Sequence, residues 1–128
     1  MLEVVAALIV GEDSRFLLCQ RPEHKARGGL WEFVGGKVEP GETRAQALQR
    51  ECCEELGIET AVDGEIITVT HEYPDLTVRL TLLRARIVSG AITLIEHQAA
   101  KWVDAHQAQE MDLCPADREM LALIADRI

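Results

Sequence analysis

Hydrophobic positions recur in two rhythms along the chain, and the switch between them marks its elements. Residues 3–10 (EVVAALIV) are β-branched and small apolar side chains, the composition of a buried strand. Gly11-Glu12-Asp13-Ser14 makes a turn, and residues 16–20 form the returning strand of a hairpin. Residues 21–30 hold Pro22, Gly28 and Gly29 among charges and read as a loop. Residues 31–34 make a short strand, followed by the Gly35-Gly36 turn and a polar loop to Glu42. From Thr43 to Leu56 the period lengthens to that of a helix, with Ala45, Leu48, Cys52 and Leu56 on one stripe. Thr43 and Gln46 fit a capping box, and Gly57 stands where a helix-ending glycine belongs. Residues 66–70, 77–87 and 101–103 read as strands, with 92–95 a shorter candidate. Pro115 suits the first turn of a closing helix whose apolar side carries Leu121, Ile124 and Ile128. Strands with two helices far apart predict an α+β fold, a mixed sheet packed between helices.

Composition narrows the function. With 128 residues the chain fits one domain spanning 1–128, and 48% apolar residues supply a core for it. Glu3 interrupts the first apolar run and no basic segment precedes it, so it does not read as a signal peptide. No apolar run has the length of a membrane-crossing helix, and the expected location is the cytoplasm. Cys19, Cys52, Cys53 and Cys114 form no C-x-x-C pair, and the adjacent pair suits neither a disulfide nor zinc. They read as small apolar groups, and the scattered His24, His71, His97 and His106 as ordinary histidines. The formal net charge of −9 argues against a nucleic-acid polymer as partner. It also means that a phosphate-bearing substrate needs divalent metal between itself and the protein. Nothing in the sequence sets the oligomeric state.

Chemistry concentrates between Gly36 and Ile58. At about 100° per residue, Glu51, Glu54 and Glu55 share an arc of roughly 100° on the helix, beside the apolar stripe. Like charges at these spacings destabilise a bare helix by a few tenths of a kcal/mol per pair, so folding alone gives little reason to keep them. Magnesium gives one, because it takes hard oxygen ligands from one or two carboxylates, water and phosphate. Arg50 stands four residues before Glu54, the spacing of a helical ion pair. The fixed Gly, Glu and Arg positions of this segment arise by chance on the order of once in 10⁸ starting points.

The run G-x5-E-x7-R-E-C-C-E-E-L-G-I resembles the Nudix box without departure, which identifies the chain as a Nudix hydrolase of the MutT-like kind. The resemblance implies the Nudix fold and hydrolysis of a nucleoside triphosphate to a monophosphate and pyrophosphate, with Mg²⁺ as cofactor and Mn²⁺ as its substitute. It implies metal binding by Glu51, Glu54 and Glu55, carbonyl ligands from Gly35 and Gly36, and a carboxylate-orienting role for Arg50. Glu51 is the first choice for general base, with Glu54 and Glu96 as alternatives. Trp31-Glu32-Phe33-Val34-Gly35-Gly36-Lys37 is similar to the W-E-F-P-G-G-K run of MutT-like enzymes, Val34 replacing the proline as in relatives acting on cytosine nucleotides. By the same resemblance Arg21 contacts substrate phosphate, Glu32, Phe33 and Val34 lie near the nucleoside, Glu96 adds a metal-site carboxylate, and Asp117 meets the base edge. Oxidised guanine and cytosine-type nucleotides both remain open as substrates. The alternatives are another nucleoside diphosphate compound such as ADP-ribose, or a nucleotide sensor that does not cut.

Overall fold

The apolar run at the start of the chain is continuous because both of its faces are covered. A computed structural model describing residues 1–128 places it as strand β1 (Leu2–Ile9), inside a four-stranded sheet of order β4-β1-β6-β5. β1 runs parallel to β6 (Thr77–Ser89) and antiparallel to β4 (Gly35–Lys37), and β5 (Glu59–Glu72) completes the sheet antiparallel to β6. A second, antiparallel sheet joins β3 (Trp31–Glu32), β2 (Phe16–Gln20) and β7 (Ala99–Val103) in that order. Side chains alternate along β1 as strand geometry requires. Val5, Ala7 and Ile9 enter one core; Ala6 and Leu8 enter the other.

Each core is closed by helix. Ala47, Leu48, Cys52 and Leu56 of α1 (Arg44–Leu56) cover the first face together with Leu17, Leu83 and Ala85. Met120, Leu121 and Ile124 of α3 (Pro115–Ile124) cover the second with Leu18 and Leu82. Fully burying a leucine contributes about 1.5–3 kcal/mol, so these few side chains hold each helix down. A mixed sheet between helices is therefore what forms, with a short α2 (Ala105–Gln109) and a 3-10 turn (Ala125–Arg127) beside α3. No helix is long and apolar enough to cross a membrane.

The ends of α1 follow their local signals. The Thr43 hydroxyl accepts from the Gln46 backbone amide at 3.1 Å and the Gln46 side-chain Oε1 from the Thr43 backbone amide at 2.9 Å, closing the capping box. Gly57 takes the left-handed φ of 68° that ends the helix. Ala45 is only half-buried, and Ala47 takes its place in the core.

Several expectations need correction. Residues 31–34 are not one strand: β3 stops at Glu32, and the chain passes from the second sheet to the first at Phe33-Val34. Phe33 fills the α3-side core and Val34 the α1-side core. Gly35-Gly36 is likewise no turn. Both residues lie in β4 against β1, and neither has a left-handed φ. Residues 92–95 are irregular rather than a strand, because their backbone is spent on α1. The Thr93 amide bonds the Leu56 carbonyl at 2.8 Å and the Ile95 amide that of Glu55 at 3.3 Å. Two carbonyls left over at the end of α1 are thereby satisfied. β5 begins at Glu59, well before residue 66, and its early part is broken by register shifts around Gly64 that hide the alternation.

Candidate active site

α1 presents its acids beside β4, and Arg50 is the strap between them. Its Nε and Nη2 donate to Glu42 at 2.7 and 3.0 Å, its Nη2 to the Lys37 carbonyl at 2.9 Å, and its Nη1 to Glu51 at 2.8 Å and Glu54 at 3.2 Å. The pair with Glu54 expected from spacing is present, but the forked grip on Glu42 is tighter. Those bonds and the Glu39 amide hold the Glu42 carboxyl below the usual range. Glu42 is the partner that sequence reasoning left without a role.

Gly36 explains where Glu51 rests. A Cβ on Gly36 would lie 2.4 Å from the Glu51 carboxyl carbon, so the missing side chain is the seat of that carboxylate. Only 14% of the Glu51 side chain is exposed, against 57% for Glu54. Gly35 serves the strand itself, since a Cβ there would meet the Val5 carbonyl oxygen at 1.9 Å.

Glu55 turns inward instead. Its Oε2 is buried without a hydrogen bond and faces Nδ1 of His97, equally unpartnered, at 4.0 Å. His97 Nε2 donates to Glu32 Oε2 at 2.9 Å, and the other Glu32 oxygen accepts from Arg21 Nη1 at 3.0 Å. Burial pushes the Glu55 carboxyl up to about 7, with Glu51 adding to the rise and His97 opposing it.

This rise has a stability consequence with a definite sign. The folded form holds its proton more tightly than the unfolded chain, so ionising Glu55 disfavours the fold as pH climbs from about 4.5 to about 7. In chelator, Glu55→Gln is expected to match the parent protein at pH 4 and to exceed it by about 1–3 kcal/mol at pH 8. Thermal melts across that range are the check, and a constant difference at all pH values would refute it.

The three acids thus share a flank without meeting at a point. Arg50 holds two and the third faces His97, and no three His, Cys, Asp or Glu side chains are grouped so as to hold a metal ion. The donors nevertheless suit a hard cation: carboxylate oxygens, one of them buried and orphaned, beside strand backbone made accessible by a glycine.

Next to this flank opens a cleft of about 240 Å³, lined by residues that include Glu55, Gly35 and Gly36. Arg21, Lys25, Arg27 and Lys37 also line it, four of the chain's 13 basic residues, and they stand among four carboxyl groups, those of Glu32, Glu55, Glu96 and Asp117. Glu96 lies at its exposed edge, paired with Lys25. Asp117 is buried in its wall, and its Oδ1 accepts from the Phe33 amide at 3.0 Å. Burial first and Glu32 second push the Asp117 carboxyl well up. Phe33 lines the cleft while packing against Phe16, with ring centroids 5.9 Å apart. Val34 does not line it: the side chain is 0% exposed beneath α1, which overturns its expected contact with substrate. Arg27 lies over the Tyr73 ring at 4.2 Å, and the Tyr73 hydroxyl accepts from the Ala116 amide at 2.9 Å, next to Asp117. That bond caps α3, whose own Cys114 offers none.

His97, Arg27 and Lys25 were not singled out by sequence reasoning, and only the position of His97 beside Glu96 could have flagged it.

Comparison with known proteins gives a consistent result. The family model described as "NUDIX domain" matches residues 5–123. The chain is 42% identical over 121 residues to the CTP pyrophosphohydrolase of Escherichia coli (strain K12), covering 94% of this chain and 89% of that protein. It is 40% identical over 80 residues to the 8-oxo-dGTP diphosphatase of Proteus vulgaris, covering 62% and 71% respectively. Among solved structures, the MutT protein from Methanosarcina mazei Go1 superposes with a TM-score of 0.85 at 29% identity, over 98% of this chain and 93% of that one.

Proposed function

Since this chain belongs to the NUDIX domain family and is a Nudix hydrolase, we propose that it hydrolyses a (deoxy)nucleoside triphosphate to the monophosphate and pyrophosphate, with Mg²⁺ as its metal. One observation carries the reading: the carboxylate flank of α1, strapped by Arg50, borders a cleft where four basic side chains stand among four carboxyl groups, a mix suited to phosphates held through a cation. The relatives named above are a CTP pyrophosphohydrolase and an 8-oxo-dGTP diphosphatase, which supports a role in sanitising the nucleotide pool. The substrate here is a cytosine nucleotide or an oxidised guanine nucleotide. As an acidic protein acting on free nucleotides it would work in the cytoplasm, without a nucleic-acid polymer as partner.

Glu51, Glu54 and Glu55 would hold the metal, with Gly35, Gly36 and Glu96 contributing from β4 and the cleft edge. Bound there, the metal would offset phosphate charge and ease ionisation of the attacking water. Arg21 and its neighbours bind the phosphates and turn the β-phosphorus toward that water. Glu51, seated on Gly36 and steered by Arg50, accepts the water proton as the new P–O bond forms. The bond from that phosphorus to the α,β-bridging oxygen then breaks, so the nucleoside monophosphate departs and the water oxygen stays in pyrophosphate. Glu32, Phe33 and Asp117 face the nucleoside, where positioning in a low-dielectric cleft accounts for much of the rate.

A panel of nucleoside triphosphates and ADP-ribose, each with Mg²⁺, tests this by release of pyrophosphate or phosphate-bearing product. The expected result is turnover of at least one triphosphate, falling about 10–100-fold in Glu54→Gln. Tight binding of triphosphates without turnover would make the protein a sensor. Turnover of ADP-ribose alone would make the triphosphate assignment wrong.

A further inference from the structure

We propose that His97 is a positioning residue, one buried ring that sets the arginine arm of the cleft and the buried Glu55 carboxylate relative to each other; the proposal rests on the hydrolase reading above.

His97 is held from both sides by backbone. Upstream, the Thr93 and Ile95 amides are bonded to the end of α1; downstream, the Gln98 amide donates to the Gln20 carbonyl of β2 at 3.0 Å. The ring therefore spans the gap between the acid-bearing helix and the second sheet, and it is only 5% exposed. Toward the sheet, Nε2 donates to Glu32 at 2.9 Å, and Glu32 in turn holds Arg21 at 3.0 Å. Toward the helix, Nδ1 and Glu55 Oε2 face each other at 4.0 Å, and both are buried without any partner.

Those two orphaned atoms are what a purely structural histidine would avoid. A buried ring kept for packing is better apolar, because an unmet polar nitrogen in the interior costs stability. Here one nitrogen fixes the carboxylate that aims Arg21 and the other stays aimed at a box glutamate. The distance between the phosphate-binding side and the acid side of the cleft is thereby set by the width of one imidazole.

The two nitrogens can be tested separately. The amide nitrogen of glutamine reaches the place of Nε2, and that of asparagine the place of Nδ1. His97→Gln, His97→Asn and His97→Phe are compared with the parent protein in steady-state kinetics, in calorimetric binding of a non-hydrolysable triphosphate analogue, and in thermal melts. His97→Gln keeps the link to Glu32, so KM and analogue affinity are expected to stay within about threefold while kcat falls about tenfold. His97→Asn loses that link, so KM rises and affinity falls about tenfold. His97→Phe shows both defects. Equal shifts of all parameters in the three variants, tracking their melting temperatures, would overturn the proposal, as would parental kinetics in His97→Phe. The parent protein run alongside decides the hydrolase reading on its own. If it binds the analogue without turnover, that reading fails while the Asn-against-Gln contrast in affinity still decides for or against His97.

Discussion

Glu51→Gln is expected to lower kcat by about 10²–10⁴-fold while leaving the fold intact. The carboxylate is the least exposed of the acids gripped by Arg50 from the same helix, bonded at 2.8 Å and seated against the backbone of Gly36. Glutamine preserves shape and volume but accepts a proton poorly and supplies no charge to a metal. Because the residue lies at the helix edge rather than in either core, melting temperature should change little. Single-turnover rates with the best triphosphate of the panel give the measurement. A kcat within threefold of the parent would remove Glu51 from the chemistry.

Gly35→Ala is expected to produce the largest loss of stability among single substitutions near the site, about 3 kcal/mol or more, and a weakened or unfolded protein. The added carbon would lie 1.9 Å from the Val5 carbonyl oxygen, a backbone atom at the buried centre of the first sheet, so β4 must move off β1. Strain of this kind, imposed on well-packed backbone, falls in the severe range for point changes. Gly36→Ala is the instructive contrast. Its new carbon meets the end of the Glu51 side chain, which can swing away, so stability should fall by less than about 1.5 kcal/mol while activity drops with Glu51 displaced. Denaturant melts and kcat on the two variants separate the cases. Equal stability losses would show that the glycines play one role rather than two.

Local signals were legible in the sequence, and long-range ones were not. The helix from Thr43 and the strand Phe16–Gln20 were readable because a capping box and an apolar run need only their own neighbours. The break after Glu32 was not, since which sheet a residue joins depends on partners elsewhere in the chain. α2 carried a readable signature, Asp104 with Gln107, but its five residues are too few for periodicity to register. The box acids and Arg21 stood out by motif, and Val34 drew a substrate role for the same reason although it ended beneath α1. His97 offered only its place beside Glu96 as a signal. What makes it notable is the pair of carboxylates on either side of it, brought from β3 and α1 by the fold.

The passage of the chain at Phe33-Val34 has a mechanical meaning for the enzyme. Two adjacent residues are rooted in opposite hydrophobic interiors, and the Ala7 amide clasps the Val34 carbonyl at 2.8 Å between them. Just upstream stands Glu32 with its arginine, and just downstream the glycine on which Glu51 rests. Neither interior can loosen without tugging on this rivet, so a disturbance under either helix would be felt at the cleft that Glu32, Phe33, Gly35 and Gly36 line. Such a design favours a rigid catalytic floor and leaves whatever motion turnover requires to the loops around its rim.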